Sequence, residues 1–517
     1  MIERFGDLRE ENRYNNVLLI RADASREIGT GHVMRCFALA QAWKMAGGRA
    51  AFILAQGVPE IEGRLKDDGF SVHHITASPG SEMDAALTAK LAGSLGACFI
   101  VVDGYQFDGA YQKALVDAGE HLLFIDDYGH AKFYRADLVL NQNIYANEGL
   151  YRDRDRETGL LLGPDYVLLR REFWRWRGWR RSNPERGGKI LVTLGGSDPD
   201  NVTMKIIDAL QNLDACDVEV VVIVGGSNSH VDSLRAASNA SKIPMELLKN
   251  ASNMPELMAW ADIAIISGGT TSYETSFMGL PSLIVAIAKN QIPVAEKMAE
   301  IKAAVNLGWH TDLTREKIRM AFMDLADCRA SRDSFSRIGC KLVDGRGCSR
   351  VIRIILERMI TVRDAVAGDC NLIFQWANDI DTRAASFSSG KISLEEHRNW
   401  LSDRLSDANC LLLICSDGQG NPLGIVRFDI SKDEATVSIN LAPHVRGKGW
   451  ASFIIIRTTD ELFKRRNVSR VNAFIKPENQ RSVRAFERAG FSKIGPCNIR
   501  ENDALHFTLI NVDLSKK

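Results

Sequence analysis

From residue 16 to about residue 345 the chain alternates short, continuously apolar runs with longer stretches of helical periodicity. The runs VLLIRAD (17–23), ACFIVVDGY (97–105), HLLFIDDY (121–128), KILVTLGG (189–196), VEVVVIVGG (218–226) and DIAIISGG (262–269) are rich in β-branched residues, and several end in Gly, Asp or both. A strand apolar on both faces must be covered on both, which predicts parallel sheets flanked by helices. Gly or Asp at a strand's C-terminal end marks the edge where open α/β sheets take ligands. Two such sheets are expected, over residues 17–170 and 188–345, after an N-terminal extension (1–16). Beyond residue 360 the texture changes to two helices, the strand runs LLLICSD (411–417), PLGIVRFDI (422–430) and ATVSINLAP (435–443), a glycine-rich turn and a helix. Meander, turn and helix make an α+β arrangement, expected over 360–514 behind a linker helix at 346–359. No internal repeat or low-complexity tract interrupts this order.

Composition narrows the class. Lys+Arg and Asp+Glu both total 65 among 517 residues, a formal net charge of +0, so no basic excess exists to organise the chain around a polyanion. The segment REFWRWRGWRRSNPERGG (171–188) sets three tryptophans among arginines, a mixture that suits single strands. Its isolation in a neutral chain favours packing between the two sheets instead, with no nucleic-acid partner. No apolar run approaches the ~20 residues that cross a bilayer, and the first sixteen residues lack the apolar core of a secretion signal. Ten cysteines stand singly without a CxxC pair, as in reduced proteins of the cytoplasm. A cytoplasmic protein with no membrane partner is expected.

Two stretches carry candidate chemistry. After the first strand, Gly29, Thr30, Gly31 and His32 open a helix. The glycines let a ligand approach the backbone, exposed N–H groups favour anions, and an imidazole beside them can act as a base near neutrality. In the second sheet Ser267, Gly268, Gly269, Thr270 and Thr271 follow a strand. Their glycines and hydroxyls suit a diphosphate, while Glu274 can accept from ribose hydroxyls or simply face a helix N-terminus. The loop GGSDPDN (195–201) lies on the same edge. Asp103, Asp126 and Asp127 also end strands; adjacent Asp126 and Asp127 point apart, and all three are expected to serve loop hydrogen bonding. Near the C-terminus, Arg446, Gly447, Lys448, Gly449, Trp450 and Ala451 fit R-x-x-G-x-A at a helix start, where backbone N–H groups can ring a pyrophosphate. Asn479, Ser482, Phe486, Gly490 and Phe491 then fit N-x-x-S-x-x-x-F-x-x-x-GF. No histidine spacing or carboxylate cluster reads as a metal site.

The motifs IRADASREIGTGHVMRC, LGGSDPDN, ISGGTTSYET and KNQ resemble those of the UDP-sugar hydrolases of pseudaminic acid biosynthesis, over about residues 16–345. These enzymes remove UDP from 2,4-diacetamido-2,4,6-trideoxy-β-L-altropyranose, and they are similar in fold to two-domain glycosyltransferases of the GT-B type. The resemblance implies that His32 is the base and that Glu274, Asn290 and Tyr105 bind substrate. Arg21, Asp23, Gly29, Gly31, Gly268, Gly269, Thr270 and Thr271 are placed beside them. UDP leaves readily, so the site needs a positioned water and a base rather than the two flanking carboxylates of a glycosidase. The motifs at 446–451 and 479–491 resemble the GNAT acetyltransferases over about residues 360–514. That implies acetyl-CoA as co-substrate, with Asn440 and Leu441 on the acetyl or pantetheine arm, residues 446–451 on the pyrophosphate, and Asn479 and Ser482 nearby. Phe486 stands where many relatives have a proton-donating tyrosine. Residues 379–401 resemble sugar-amine acetyltransferases, or form an ordinary amphipathic helix pair.

The combined expectation is a GT-B-like pair of Rossmann-type domains followed by an α+β GNAT domain. It would acetylate a UDP-linked 4-amino sugar and then cleave off UDP, without a metal. The alternatives are a UDP-sugar glycosyltransferase, a nucleotide-sugar sensor fused to an acetyltransferase, and an enzyme for a related nonulosonate or spore-coat sugar.

Overall fold

The computed structural model describes residues 16–511 apart from 26–27, 197, 212, 214–217, 227, 419 and 500–501. Of the expected N-terminal extension, only Asn16 falls among the described residues. The first sheet comprises Val17–Ala22 (β1), Arg49–Leu54 (β2), Ser71–His74 (β3), Ala97–Asp103 (β4), Leu122–Ile125 (β5), Leu138–Asn141 (β6) and Gly159–Leu162 (β7), with helix Gly31–Met45 (α1) leaving β1. Its order is β3-β2-β1-β4-β5-β6-β7, and β1 pairs β4 in parallel. The apolar runs are buried on both faces: Leu18, Leu19, Ile20, Ile100, Val101 and Val102 are wholly inaccessible, as expected of parallel strands covered by helices.

The second sheet is built the same way from Lys189–Thr193 (β8), Glu219–Val224 (β9), Met245–Lys249 (β10), Ile263–Ser267 (β11), Ser282–Ala286 (β12) and Val305–Trp309 (β13). Its order is β10-β9-β8-β11-β12-β13, all parallel. Helix Thr271–Phe277 (α2) follows β11. In each sheet the strand order reverses once, between β1 and β4 and between β8 and β11. At such a switch point the helices diverge to opposite faces and leave a crevice outside the strands' C-terminal ends. GTGH follows β1, Asp103 ends β4, GGSD follows β8 and SGGTT follows β11, so every glycine loop singled out in this half lies at one of the two crevices. Residues 17–42 and 50–351, with both sheets, form one compact unit.

The other unit holds residues 43–49 and those from Ile352 onward. Helix Gly347–Met359 (α3) leads into it. Its strands are Ile360–Asp364 (β14), Cys410–Asp417 (β15), Pro422–Ser431 (β16), Glu434–Leu441 (β17), Arg470–Ile475 (β18), Ser492–Ile499 (β19) and Asn502–Ile510 (β20). The sheet order is β14-β15-β16-β17-β18-β20-β19. The sequence pattern predicts two helices ahead of the meander; the structure places β14 first, antiparallel to β15, and then three helices, Cys370–Ala377 (α4), Ile380–Ala385 (α5) and Leu394–Ser406 (α6). Ser393 and Glu396 close a capping box at the start of α6, satisfying two N–H groups that would otherwise lack partners. Helix Trp450–Arg465 (α7) buries Phe453, Ile454, Ile455 and Leu462, and Gln480–Arg488 (α8) follows β18. Strands β17 and β18 pair in parallel only at Glu434–Arg470, Ala435–Val471 and Thr436–Asn472. Beyond that register they are no longer paired. The fold is thus the expected pair of Rossmann-type sheets followed by an α+β domain.

Candidate active sites

At the first switch point the chain assembles a dense polar cluster. His32, in the first turn of α1, is 8 % exposed, and its Nδ1 lies 2.6 Å from Asp103 Oδ1 at the end of β4. One helical turn on, Arg35 donates to both Asp103 oxygens at 2.6 and 2.7 Å and to Asp127 Oδ1 at 2.6 Å. Burial opposes the charge on Asp103, but the Arg35 guanidinium and His32 outweigh it and hold that carboxyl well below the usual range. Burial likewise opposes ionisation of Asp127, and Arg35 again reverses the balance. A permanent carboxylate on Nδ1 fixes the neutral ring with its proton on that nitrogen, so Nε2 carries the lone pair.

Tyr105 closes the cluster. Its ring stands edge-on to His32 at 4.8 Å, and its hydroxyl donates to Asp127 Oδ2 at 2.6 Å. From the second sheet, Asn290 Nδ2 donates to the same hydroxyl at 2.7 Å, while Tyr273 accepts from Ile144 N and meets Asn143 Oδ1. Asn143 Nδ2 donates in turn to Asp127 Oδ1 at 2.9 Å. The two sheets' loops also approach through glycine: a Cβ at Gly196 would fall 2.7 Å from Thr30 Oγ1. By contrast, a Cβ at Gly29 or Gly31 would meet nothing within 4 Å. Gly29 is required by its φ of +77°, whereas Gly31 leaves open space among the described residues. Gly268 is buried, and Gly269, Thr270 and Thr271 are half-buried at the end of β11. Glu274 Oε1 takes Nε and Nη2 of Arg170 at 3.2 and 2.8 Å.

Some expectations need correcting. Arg21 is wholly buried between Asp23 and Asp84 at 2.8 and 2.7 Å. Asp23, 1 % exposed, accepts from Ala55 N, Gln56 N and Gln106. Both side chains are closed off from solvent and hold the end of β1 in place. Removing one partner of a buried ion pair strands the other charge, so Arg21→Ala is expected to lower unfolding free energy by about 3–5 kcal/mol in a denaturant titration. Among the strand-end aspartates only Asp126 serves its loop, accepting from the backbone of residues 127–129. Asp103 and Asp127 belong to the histidine cluster. Arg35 carried no sequence signal except its position one turn after His32 in α1.

The arginine–tryptophan segment fastens the two sheets. Arg171 reaches Asp68 and Glu172 reaches Arg64 on the first-sheet side. Arg175 pairs with Glu256, and Arg181 donates to the carbonyls of Met258 and Ala261 on the other. Burial lowers the Arg181 guanidinium to about 10.

The second site lies where β17 and β18 separate. A cavity of about 1380 Å³ opens there, lined by Asn440, Leu441, Arg446, Gly447, Gly449, Trp450, Ala451, Asn479, Ser482 and Phe486. Gly447 and Gly449 have φ of +76° and +85°, which turns the 446–451 loop into the start of α7, and Gly447 has nothing within 4 Å of a Cβ. The Arg446 side chain is engaged within the protein: it pairs with Asp379 and donates to Thr382 Oγ1 and Leu441 O. These bonds tie the 446–451 loop to the end of β17 and to α5. The Trp450 side chain is 3 % exposed, and Lys448 is not among the lining residues. Asn479 caps α8 by accepting from Ser482 N at 3.1 Å. Phe486 is buried edge-on to Phe491. The gap, the glycine loop and the cavity fit an extended thioester cofactor with a pyrophosphate at one end.

Residues 359–492 match the acetyltransferase (GNAT) domain family, and residues 190–331 match the glycosyltransferase family 28 C-terminal domain. An uncharacterised protein of Methanocaldococcus jannaschii is 23% identical over 494 residues, covering 92% of this chain and 96% of the relative. The spore coat polysaccharide biosynthesis protein SpsG of Bacillus subtilis is 25% identical, covering 65% and 97%. The UDP-2,4-diacetamido-2,4,6-trideoxy-beta-L-altropyranose hydrolase of Campylobacter jejuni is 22% identical, covering 55% and 96%. The chain joins a half similar to the Bacillus subtilis protein and to the Campylobacter jejuni UDP-sugar hydrolase to a segment that matches the GNAT domain family.

Proposed function

We propose that residues 16–345 hydrolyse UDP-2,4-diacetamido-2,4,6-trideoxy-β-L-altropyranose to UDP and free sugar, and that residues 360–514 make that substrate by acetylating the 4-amino group of its UDP-linked precursor. The observation that carries the first half is the His32–Asp103 pair at the switch point, with Tyr105 and Asn290 beside it. In this mechanism His32 Nε2 takes a proton from water as its oxygen attacks the anomeric carbon. The C1–O bond to the diphosphate breaks, and UDP leaves with the bonding electrons. Asp103 orients the ring and stabilises the imidazolium that forms. The backbone around Gly268 and Gly269, with the Thr270 and Thr271 hydroxyls, holds the diphosphate. Glu274, already anchored by Arg170, has a second carboxylate oxygen for the ribose.

In the acetyltransferase half, acetyl-CoA supplies an acetyl group as a thioester. The backbone of Asn440 and Leu441 lies along the gap, and the backbone N–H groups of the 446–451 loop suit the pyrophosphate. Gly447→Val would force a β-branched residue to φ near +76° and fill the open cradle. It is expected to weaken CoA binding about 10- to 100-fold, or about 1.4–2.7 kcal/mol, in isothermal titration, with hydrolysis of the ready-made diacetamido substrate unchanged.

A related spore-coat sugar is the second reading, favoured by the match to the Bacillus subtilis protein. Product mass spectrometry over a panel of UDP-amino sugars separates the two. Release of UDP from the altropyranose substrate in water alone supports the first reading. Release from other epimers only would replace it with the second, and a requirement for a sugar acceptor would make the chain a glycosyltransferase.

A further inference from the structure

The loop after β5 holds a second histidine near His32, and its bonding fixes its charge. The His130 side chain is 9 % exposed. Its Nδ1 lies 2.9 Å from Asp126 Oδ1, and its Nε2 lies 2.9 Å from the Phe107 carbonyl oxygen. Neither partner has a proton to offer. A backbone carbonyl only accepts, and the Asp126 carboxyl already accepts from the N–H groups of Asp127, Tyr128 and Gly129 and from the Tyr134 hydroxyl. A neutral imidazole carries one N–H and satisfies one such partner; the charged ring carries two. Both bonds together therefore require the imidazolium. Burial works against that charge, but the Asp126 carboxylate, reinforced by the Phe107 carbonyl and by Asp127, raises the ring above the usual histidine value. Tyr105 and Tyr128 also face it, with ring centroids 5.8 and 5.7 Å away.

The two bonds join two loops of the candidate site. Phe107 N donates to Gly104 O at 3.3 Å and closes a turn that contains Tyr105. Asp126 directly precedes Asp127, which takes the Tyr105 hydroxyl at 2.6 Å. Tyr105 is thus held twice, through its hydroxyl by Asp127 and through its turn by His130. A neutral His130 would keep one bond and set a lone pair against the other acceptor, a costly arrangement with little solvent to relieve it. We infer that His130 is a positioning residue of the hydrolase site: as a doubly bonded cation it ties the Tyr105 turn to the Asp126–Asp127 loop, and loss of its proton releases Tyr105 from its place beside His32. This rests on the hydrolase role proposed above and adds to it a residue and an alkaline limit. A histidine raised by folding contributes its full stability below the unfolded value of about 6.5 and loses it as pH rises through the higher folded value.

The test uses the full-length protein labelled with ¹³C-histidine, in which His130→Gln identifies the His130 ring signals by their absence. Ring shifts and kcat/KM for UDP release from the diacetamido nucleotide sugar are followed from about pH 5.5 to about pH 9. The expected ring is still mostly charged at about pH 6.5 and loses its proton only above it. Wild-type kcat/KM should fall about 10-fold or more over the same interval, the scale of a displaced binding group. His130→Gln donates to one partner at every pH, so it should melt as a folded protein, start from the lower kcat/KM and show no fall in that interval. A ring already neutral at about pH 6.5, a wild-type profile that does not follow the ring, or a Gln variant with the wild-type profile would overturn the inference. If the wild type releases no UDP from this sugar nucleotide, the function proposed above falls and the ring titration alone decides: a charged ring upholds the tie between the loops, and a neutral ring removes it.

Discussion

His32→Ala is expected to slow release of UDP from the diacetamido nucleotide sugar by about 10²- to 10⁴-fold, the usual contribution of a positioned general base. UDP should bind the variant as it binds wild type, because the diphosphate loop at residues 267–271 is untouched. CoA release by the acetyltransferase half should also be unchanged. The comparison is made at saturating substrate, where kcat isolates the chemical step from binding. A variant that retains wild-type kcat would remove His32 from the role of base.

Asp103→Asn is expected to be nearly as damaging, although this residue never meets the substrate. An asparagine can turn its amide N–H toward His32 Nδ1 and so place the ring proton on Nε2, the wrong tautomer for accepting a proton from water. In hydrolase triads the same reversal costs on the order of 10⁴-fold in kcat. The ground state should change little, so KM is expected to stay within about 3-fold. Arg35 keeps Asp127 at 2.6 Å, and an asparagine oxygen can still accept from it, so the variant should fold; a thermal melt checks this. Asp103→Glu, which keeps the charge but moves it by one methylene, should recover part of the activity, and a purely structural role would show no such ordering. The acid limb follows from the depressed carboxyl. Its contribution to stability is complete above the unfolded carboxylate value of about 3.9 and disappears only as pH falls through the still lower folded value. Loss of structure between pH 7 and pH 5 would therefore not come from Asp103.

Much of this was legible in the sequence because it rests on local rules. Continuous apolar runs ending in Gly or Asp located the switch-point loops, since a strand buried on both faces has little other composition open to it. The glycines at 29, 447 and 449 mark backbone that must turn through positive φ. The resemblance implies substrate roles for Asn290 and Tyr105, and the structure brings the two together at 2.7 Å. What the sequence could not show was pairing across long separations. Asp103 lies 71 residues from His32, and a strand-end aspartate looks alike whether it caps a loop or holds an imidazole. Arg21 and Asp23 sit inside a motif that resembles a substrate loop, yet their charges are turned inward to Asp84 and the 55–56 backbone. Arg446 fits its motif by type, but Asp379, 67 residues earlier, occupies its guanidinium. Strand β14 carries no sequence signal because a short edge strand with three polar or charged residues lacks the apolar signature of its neighbours.

The most direct test runs the hydrolysis in water enriched in ¹⁸O and reads the isotope content of released UDP by mass spectrometry. Attack at the anomeric carbon breaks the C1–O bond, so UDP keeps its own oxygens and is expected to be unlabelled, with His32→Ala releasing little UDP of either kind. UDP carrying one ¹⁸O would show attack at phosphorus and contradict the account.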